Sequence, residues 1–274
     1  MPEQHLASVL AARPCGLLTD IDGTISPIAP TPEAAQVSPA AREYLRALAR
    51  HLALVGVVSG RAAADAAALV GLPELVYVGN HGLEIWRGGS AQPMPEALPY
   101  VPLIARVLDE ARAAINLPGV IVENKGVTGA VHYRLSTDPA SAGPAIGALL
   151  RDLCARHGLK LTPGRMVWEI RPPLEADKGT AVRALAQQYG LRGLIFLGDD
   201  RTDADAFAVL RDLRRQGAAL TLAIGVAADE TPREVRELAD VLVPGVAGAE
   251  SVLAQAAALA AAQDATTRDQ GPTR

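Results

Sequence analysis

Short, wholly apolar runs alternate with helical patterns over two parts of this 274-residue chain. The run Leu52–Val58 contains no polar residue, as expected for a parallel strand covered on both faces. A helical pattern precedes it at Pro39–Arg50, and another follows at Arg61–Val70. Apolar runs at Leu194–Leu197 and Leu220–Val226 repeat the alternation near the other end. The pattern predicts an α/β fold built on a doubly wound parallel sheet.

The middle of the chain has a different pattern. Strand candidates at Val120–Glu123 and Ala130–Leu135 are joined by a short glycine-containing turn, which favours antiparallel pairing. We therefore expect a core domain of residues 1–83 and 170–265, interrupted by an inserted α+β cap domain of residues 84–169. The polar residues 266–274 are predicted to form a disordered tail.

Composition excludes several classes of partner. Lysine and arginine number 26 against 30 acidic residues, and aromatic residues make up 3% of the chain. Such a chain lacks both the basic field and the stacking surfaces that bind nucleic acid, so no nucleic-acid partner is expected. No apolar run approaches the roughly 18–20 residues that span a bilayer, and the first residues do not have the pattern of a signal peptide. We expect a cytoplasmic monomer with no membrane partner.

Two acidic segments follow strand candidates. Asp20-Ile21-Asp22-Gly23-Thr24 comes directly after the first apolar run, and Asp199 follows Leu194–Leu197. Because the carboxyl ends of parallel strands meet at one crevice, Asp20, Asp22 and Asp199 are expected to lie close together. Their carboxylates would repel one another without a cation, and hard oxygen ligands in a small site predict Mg²⁺.

Two further segments are suited to binding an anion. Ser59-Gly60-Arg61 follows the strand Leu52–Val58 and offers a hydroxyl and backbone N–H groups at a helix start. Lys178 also opens a helical pattern, where a cation is unusual because the helix dipole favours an anion. If Lys178 faces the crevice, it neutralises a phosphoryl group or holds the first carboxylate.

In the order and spacing of these four motifs, the sequence resembles the haloacid dehalogenase superfamily. The resemblance implies that Asp20 is a nucleophile and Asp22 a general acid and base. It implies that Ser59, Gly60 and Lys178 bind phosphate. The metal ligands that it implies are Asp20, Asp22, Asp199 and Asp203, of which Asp203 is either a direct ligand or a group that supports the ligands. It also accounts for the long insertion between Ser59 and Lys178, where that superfamily places a cap.

The cap contains polar residues at strand spacing. Glu123 and Lys125 share one strand face, His132 and Arg134 share another, and Glu169 belongs to a third strand. Such a face suits sugar hydroxyls and an anionic group.

Several stretches of the sequence resemble trehalose-6-phosphate phosphatases. They include Leu18–Ile28, Gly79–Glu84 with Asn80-His81-Gly82, Glu169–Pro172 and Gly198–Phe207. The resemblance implies hydrolysis of trehalose 6-phosphate to trehalose and phosphate. It also implies that Glu123 and Lys125 grip the disaccharide, with His132, Arg134 and Glu169 beside them and Asn80 and His81 at the core–cap junction.

Three alternatives remain open from the sequence. Another sugar phosphatase of the superfamily would act on sucrose 6-phosphate, a mannosyl-phosphoglycerate or a pseudo-sugar phosphate. A phosphomutase would return the phosphoryl group to a sugar. A phosphorylatable switch module would use a similar acidic pocket but would not need a cap of this size.

Overall fold

The computed structural model describes residues 3–87, 89–228 and 231–269, which form two compact units. The core unit contains the chain up to Gly82, Trp86–Ser90 and the chain from Ala176 onward. The cap unit contains Leu83–Ile85 and Ala91–Glu175. The second core segment therefore begins later than the predicted residue 170, because residues 167–171 form a strand that pairs within the cap.

Helices and strands are numbered in chain order. They are α1 (Glu3–Ala11), β1 (Cys15–Thr19), α2 (Pro39–Ala49), β2 (Leu54–Val58), α3 (Ala63–Val70), β3 (Val76–Gly79), β4 (Glu84–Arg87), β5 (Ser90–Pro93), α4 (Val101–Ala114), β6 (Ile121–Asn124), β7 (Gly129–His132), α5 (Pro139–Arg156), β8 (Lys160–Gly164), β9 (Val167–Arg171), α6 (Lys178–Gln188), β10 (Gly193–Gly198), α7 (Asp203–Arg215), β11 (Leu220–Ala227), α8 (Arg233–Leu238), β12 (Val241–Pro244) and α9 (Gly245–Asp269).

The larger sheet has the strand order β12-β11-β10-β1-β2-β3-β4-β5. Its strands from β12 to β3 pair in parallel. The chain builds the sheet outward in one direction through β2 and β3 and in the other through β11 and β12. The direction therefore reverses between β1 and β10, and a ligand crevice is expected at the carboxyl ends of these two strands.

Side chains on the two faces of this sheet pack against different helices. Leu17 and Ile195 belong to a core cluster that also contains buried residues of α1, α2 and α9. On the other face, Phe196 packs edge-on against Phe207 of α7, with ring centroids 5.9 Å apart. The predicted doubly wound α/β fold is confirmed.

Local signals in the sequence set the ends of two helices. At the start of α2, the hydroxyl of Ser38 accepts a hydrogen bond from the backbone N–H of Ala41 at 3.0 Å, and Pro39 occupies the first helical position. At the end of α3, Gly71 has a left-handed φ of 70°. Both features agree with the helix bounds expected from the pattern.

The last helix, α9, differs from expectation in two ways. Its residues 245–265 have a mean hydropathy of 1.3 and are, within the described ranges, the one helix long and apolar enough to cross a membrane. Yet Val252, Leu253 and Ala256 are buried in the core cluster. The helix also includes residues 266–269, which the sequence assigned to the tail, whereas residues 270–274 lie outside the described residues.

The cap unit contains an antiparallel sheet of order β6-β7-β9-β8. Buried residues of α4 and α5 pack with Val131 and Ile170 of this sheet, so the apolar core of the cap lies on one sheet face. Strand β7 ends at His132, short of the predicted Leu135. Strand β8 gave no clear signal because it is an exposed edge strand that contains Pro163.

Candidate active site

Two carboxylates lie where β1 and β10 end. The backbone N–H of Asp20 donates to the carbonyl of Leu197 at 2.9 Å, which fixes Asp20 beside the end of β10. The hydroxyl of Thr24 donates to Oδ1 of Asp199 at 2.9 Å. Between them, Gly23 has a φ of 87°, and a Cβ at this position would lie 2.1 Å from Oδ2 of Asp199. Glycine therefore permits both the turn and the close approach of Asp199.

Lys178 contacts three carboxylates from two segments of the chain. Its Nζ lies 3.1 Å from Oδ1 of Asp20, 2.7 Å from Oδ1 of Asp203 and 3.9 Å from Oδ1 of Asp200. The side chain is 1% exposed. Burial alone would lower the pKa of Lys178, but the carboxylates of Asp20 and Asp203 outweigh it and hold that pKa well above its usual range. Lys178 is thus a fixed positive charge beside Asp20 and Asp203.

Asp203 organises the loop between β10 and α7. Its Oδ2 accepts hydrogen bonds from the backbone N–H groups of Asp199 at 2.9 Å and Asp200 at 3.0 Å. Its Oδ1 accepts from Lys178. Both oxygens are therefore engaged by protein donors. Of the two roles that the resemblance implies for Asp203, a metal ligand or a group that supports the ligands, these contacts favour the second.

The carboxylates carry more negative charge than Lys178 offsets. One carboxylate oxygen from each of Asp20, Asp199 and Asp203 lies within 4.8 Å of the others. Burial raises the pKa of Asp20. Burial, followed by the charges of Asp20 and Asp200, raises the pKa of Asp199 to about 7. A cluster of hard oxygen donors that resists ionisation in this way fits a small divalent cation, which would offset the repulsion.

The structure differs from expectation at Asp22. Arg61 donates to both of its carboxylate oxygens, from Nε at 2.6 Å and from Nη2 at 2.8 Å. A third nitrogen of the same guanidinium donates to the carbonyl of Pro32 at 3.0 Å. The side chain of Asp22 does not belong to the group of three carboxylates, and this arrangement does not support its predicted role as a metal ligand, because Arg61 engages both oxygens.

The segments after β2 and β3 are joined by backbone hydrogen bonds. The N–H of His81 donates to the carbonyl of Ser59 at 3.0 Å, and the N–H of Asn80 donates to the carbonyl of Arg61 at 2.8 Å. A Cβ on Gly60 would lie 2.6 Å from Nε2 of His81, so this imidazole needs glycine opposite it. The structure therefore places the predicted residues Ser59, Gly60, Asn80 and His81 together at one part of the core.

The polar residues of the cap unit form a second group. Glu123 lies opposite Ala130, and Ala130 lies opposite Glu169, so the two glutamates share a sheet face. Oε2 of Glu123 lies 2.7 Å from Nε2 of His132. Nζ of Lys125 lies 3.7 Å from Oε1 of Glu169 and 4.0 Å from Oε2 of Glu123. Four of the five predicted cap residues are thus in one cluster.

Arg134 is the fifth predicted cap residue, and it does not share a strand face with His132. Strand β7 ends at His132, and Arg134 lies in the turn that follows. Its Nη2 donates to the carbonyl of Arg165 at 3.2 Å. The prediction was wrong about the strand, because the chain leaves the sheet before Arg134.

Sequence reasoning missed two residues that shape the core site. Arg61 stood in the Ser59-Gly60-Arg61 segment, and Thr24 ended the first acidic motif, but neither received a role. A charged side chain directly after a candidate phosphate loop is the signal that could have found Arg61. No local signal identifies Thr24, because its partner Asp199 is distant in the chain and only the folded sheet brings them together.

The chain matches a known protein family and several curated proteins. The family profile described as trehalose-phosphatase matches residues 18–237. A protein named probable trehalose-phosphate phosphatase 3 from Oryza sativa subsp. japonica is 34% identical over 84% of this chain and 66% of its own length. The trehalose-phosphate phosphatase of Mycobacterium bovis is 37% identical over 75% of this chain and 54% of its own length. The chain thus spans about half to two thirds of these relatives.

Solved structures show the same fold. The C-terminal domain of trehalose-6-phosphate phosphatase from C. albicans superposes with a TM-score of 0.76. The match covers 94% of this chain and 98% of that domain, at 20% sequence identity. The fold of this chain is therefore found in a solved structure of similar extent.

Proposed function

The chain belongs to the trehalose-phosphatase family, and we propose that it hydrolyses trehalose 6-phosphate to trehalose and phosphate with Mg²⁺ as cofactor. The observation that carries the proposal is the contact of Lys178 with both Asp20 and Asp203 beside Asp199, at the carboxyl ends of β1 and β10. A buried carboxylate, a fixed cation and a candidate divalent-cation site close to the point where the sheet reverses direction support the proposal.

In the first half of the proposed reaction, a carboxylate oxygen of Asp20 attacks phosphorus and the bond to the sugar oxygen breaks. Asp22 donates a proton to that leaving oxygen, and an aspartyl-phosphate remains on Asp20. In this structure Arg61 engages both oxygens of Asp22, so proton donation requires at least one of these hydrogen bonds to break. Lys178 holds Asp20 in position and supplies a positive charge toward the phosphoryl oxygens.

In the second half, Asp22 takes a proton from water, and the resulting hydroxide attacks the phosphorus of the aspartyl-phosphate. The bond to Asp20 breaks, and Asp20 and Asp22 regain their starting forms. Asp20 and Asp199 would hold Mg²⁺, which supplies charge neutralisation at the transferring phosphoryl group. Phosphate monoester hydrolysis requires accelerations of up to about 10²¹. General acid–base help supplies only about 10²–10⁴, so the fixed positive charges must provide much of the remainder.

The proposal is tested by phosphate release from a panel of esters with Mg²⁺ or with a chelator. The panel contains trehalose 6-phosphate, sucrose 6-phosphate, glucose 6-phosphate and p-nitrophenyl phosphate. We expect Mg²⁺-dependent release with a marked preference for trehalose 6-phosphate. A preference for another sugar phosphate would support phosphate ester hydrolysis but reject trehalose 6-phosphate as the substrate. No release from any ester by the folded protein would reject the proposal.

The affinity for Mg²⁺ is expected to fall with acidity. Because the pKa of Asp199 is raised to about 7, this carboxyl holds a proton below that pH, and the metal must displace it. We expect the dissociation constant for Mg²⁺ to rise by up to about tenfold per pH unit below pH 7. Calorimetric titration between pH 5.5 and 8.5 measures this, and equal affinities across that range would contradict the assignment.

The stability of the folded protein should depend on pH through the same proton on Asp199. The folded state holds the proton of Asp199 more tightly than the unfolded chain does, so the metal-free protein loses stability as pH rises from about 4 to 7. Added Mg²⁺ should therefore raise Tm more at pH 8 than at pH 6.

Replacement of Lys125 by alanine tests the role of the cap. Lys125 lies between Glu123 and Glu169, and removing it takes away an ammonium donor and leaves the two glutamates without that neighbour. We expect kcat/KM for trehalose 6-phosphate to fall about 10²-fold, and that for p-nitrophenyl phosphate to fall less than about threefold. The control is Lys160→Ala, at an exposed residue of the edge strand β8. Equal losses on both substrates would contradict a sugar-binding role.

A further inference from the structure

A cavity lies at the other end of the core sheet from the candidate active site. It has a volume of about 580 Å³, and its walls include Arg13, Arg192 and Arg214. Arg192 directly precedes β10, whereas Asp199 directly follows it. The six residues of β10 separate the two positions, and at about 3.3 Å per residue this is about 20 Å. The cavity is therefore distinct from the site that contains Asp20 and Lys178.

Two of the three guanidinium groups are held in place by carboxylates. Arg13 contacts Asp264 through Nη2 at 3.0 Å and donates from Nη1 to the carbonyl of His51. Arg214 contacts Asp240 through Nη2 at 2.8 Å and donates from Nη1 to the carbonyl of Thr221 at 3.4 Å. A guanidinium has five N–H donors, so each group retains donors beyond those that these contacts use.

Arg192 has no such structural partner. Its backbone N–H donates to the carbonyl of Pro14 at 2.7 Å, and its carbonyl accepts from Leu220 at 2.8 Å, which fixes its main chain between β1 and β11. Within residues 3–87, 89–228 and 231–269, its guanidinium makes no hydrogen bond or ion pair. The three arginines are paired with only two carboxylates, Asp264 and Asp240. The cavity therefore has a local excess of positive charge, although the net charge of the whole protein is −4.

The rest of the wall is apolar. Leu220 is 49% exposed at the start of β11, and Ala12 and Ala219 also line the cavity. A volume of this size lies within the range that holds small molecules. The wall thus offers guanidinium donors to a charged group and aliphatic surface to an uncharged one.

We propose that this cavity is a binding site for a small phosphate monoester whose organic part is apolar or ring-shaped. A phosphomonoester carries about −1.5 to −2 charges near neutral pH and has three acceptor oxygens. Three guanidinium groups match these oxygens in number, and arginine forks bind phosphate in a bidentate manner. The organic part lies against Leu220 and the two alanines. Arg192 is the residue on which the proposal depends most, because no structural role competes for its donors.

The test uses phenylphosphonate, a dianion at pH 8 with an apolar ring and no ester bond that a phosphatase can cleave. Isothermal titration of the full chain is compared with that of Arg192→Ala and Arg192→Glu. The matched control is Arg215→Ala, since Arg215 is 76% exposed, pairs with Asp212 and does not line the cavity. Binding at the catalytic site is common to all four proteins and cancels in the comparison.

We expect wild type and Arg215→Ala to bind phenylphosphonate equally. Arg192→Ala should lose about tenfold or more in affinity for the cavity component, and Arg192→Glu should abolish it. Inorganic phosphate should depend on Arg192 in the same way but bind more weakly, because it cannot use the apolar wall. Phosphate release by Arg192→Ala should be unchanged, since Arg192 lies outside the catalytic residues.

Two results would overturn the proposal. One is the absence of any Arg192-dependent binding of phenylphosphonate up to about 10 mM. The other is an equal loss in Arg215→Ala, which would indicate a general charge effect. Equal affinities for inorganic phosphate and phenylphosphonate would reject the apolar part of the ligand. Because binding is measured directly, these results are independent of whether trehalose 6-phosphate is hydrolysed.

Discussion

Asp20→Asn should abolish phosphate release, by at least about 10³-fold on every ester that the wild-type protein cleaves. An amide oxygen is a poor nucleophile, and it carries no charge for a cation at the site. The loss should be in kcat rather than in folding, because asparagine has nearly the same shape and its carbonyl can accept a hydrogen bond from Lys178, which lies 3.1 Å from Asp20.

The stability of this variant follows from the pKa of Asp20. Burial raises that pKa, so the folded protein holds the ionised carboxylate at a cost, and a neutral side chain of the same shape relieves it. We expect Tm to stay within a few degrees of the wild-type value, or to rise. The control is Asp65→Asn, at an exposed position of α3. Turnover by Asp20→Asn within tenfold of wild type would exclude Asp20 as the nucleophile.

Lys178→Met should be damaging to both stability and activity. The ammonium is 1% exposed and contacts Asp20 and Asp203, which are themselves buried. Methionine fills a similar volume without charge, so two buried carboxylates lose their partner. Breaking a buried ion pair in this way costs about 3–5 kcal/mol. Phosphate release should fall by about 10³-fold or more, since both the position of Asp20 and the charge toward the phosphoryl group are lost.

The stability loss in Lys178→Met should depend on pH. Burial already raises the pKa values of Asp20 and Asp203, and the charge of Lys178 lowers them. Without Lys178 both pKa values rise further, so protonation relieves more of the cost of burying these carboxylates as the pH falls. The free energy of unfolding, measured with denaturant, should therefore differ from wild type more at pH 8 than at pH 5.5. The control is Lys160→Met at the exposed edge of the cap sheet. A variant as stable as wild type at pH 8 would contradict the role of Lys178.

The alternation of apolar runs and helical patterns determined the core by itself. A parallel strand that is buried on both faces is apolar throughout, so runs such as Leu52–Val58 and Leu220–Val226 predict buried parallel strands. Capping residues such as Ser38 and Gly71 act on the adjacent backbone, so the helix ends that they set can be predicted from the sequence without knowledge of tertiary contacts. The closeness of the acidic motifs could also be predicted from the sequence, because the carboxyl ends of strands in such a sheet converge at one crevice.

Edge strands and side-chain partners were not determined in this way. Strand β8 is held by its pairing with β9 although it contains Pro163, and β7 ends before Arg134 because the chain turns there. The local sequence pattern cannot predict these strand bounds, because they depend on which neighbouring strands pair with the segment.

The partners within the site were decided only by the tertiary structure. Asp20, Asp22 and Asp199 are equivalent in sequence, each being a carboxylate after a strand. In the fold, Arg61 takes both oxygens of Asp22, Thr24 binds Asp199, and Lys178 joins Asp20 to Asp203. The sequence therefore identifies the residues from which the site is built. Their separate roles depend on distances of about 3 Å between groups that are far apart in the chain. Only the packing of the sheet sets those distances.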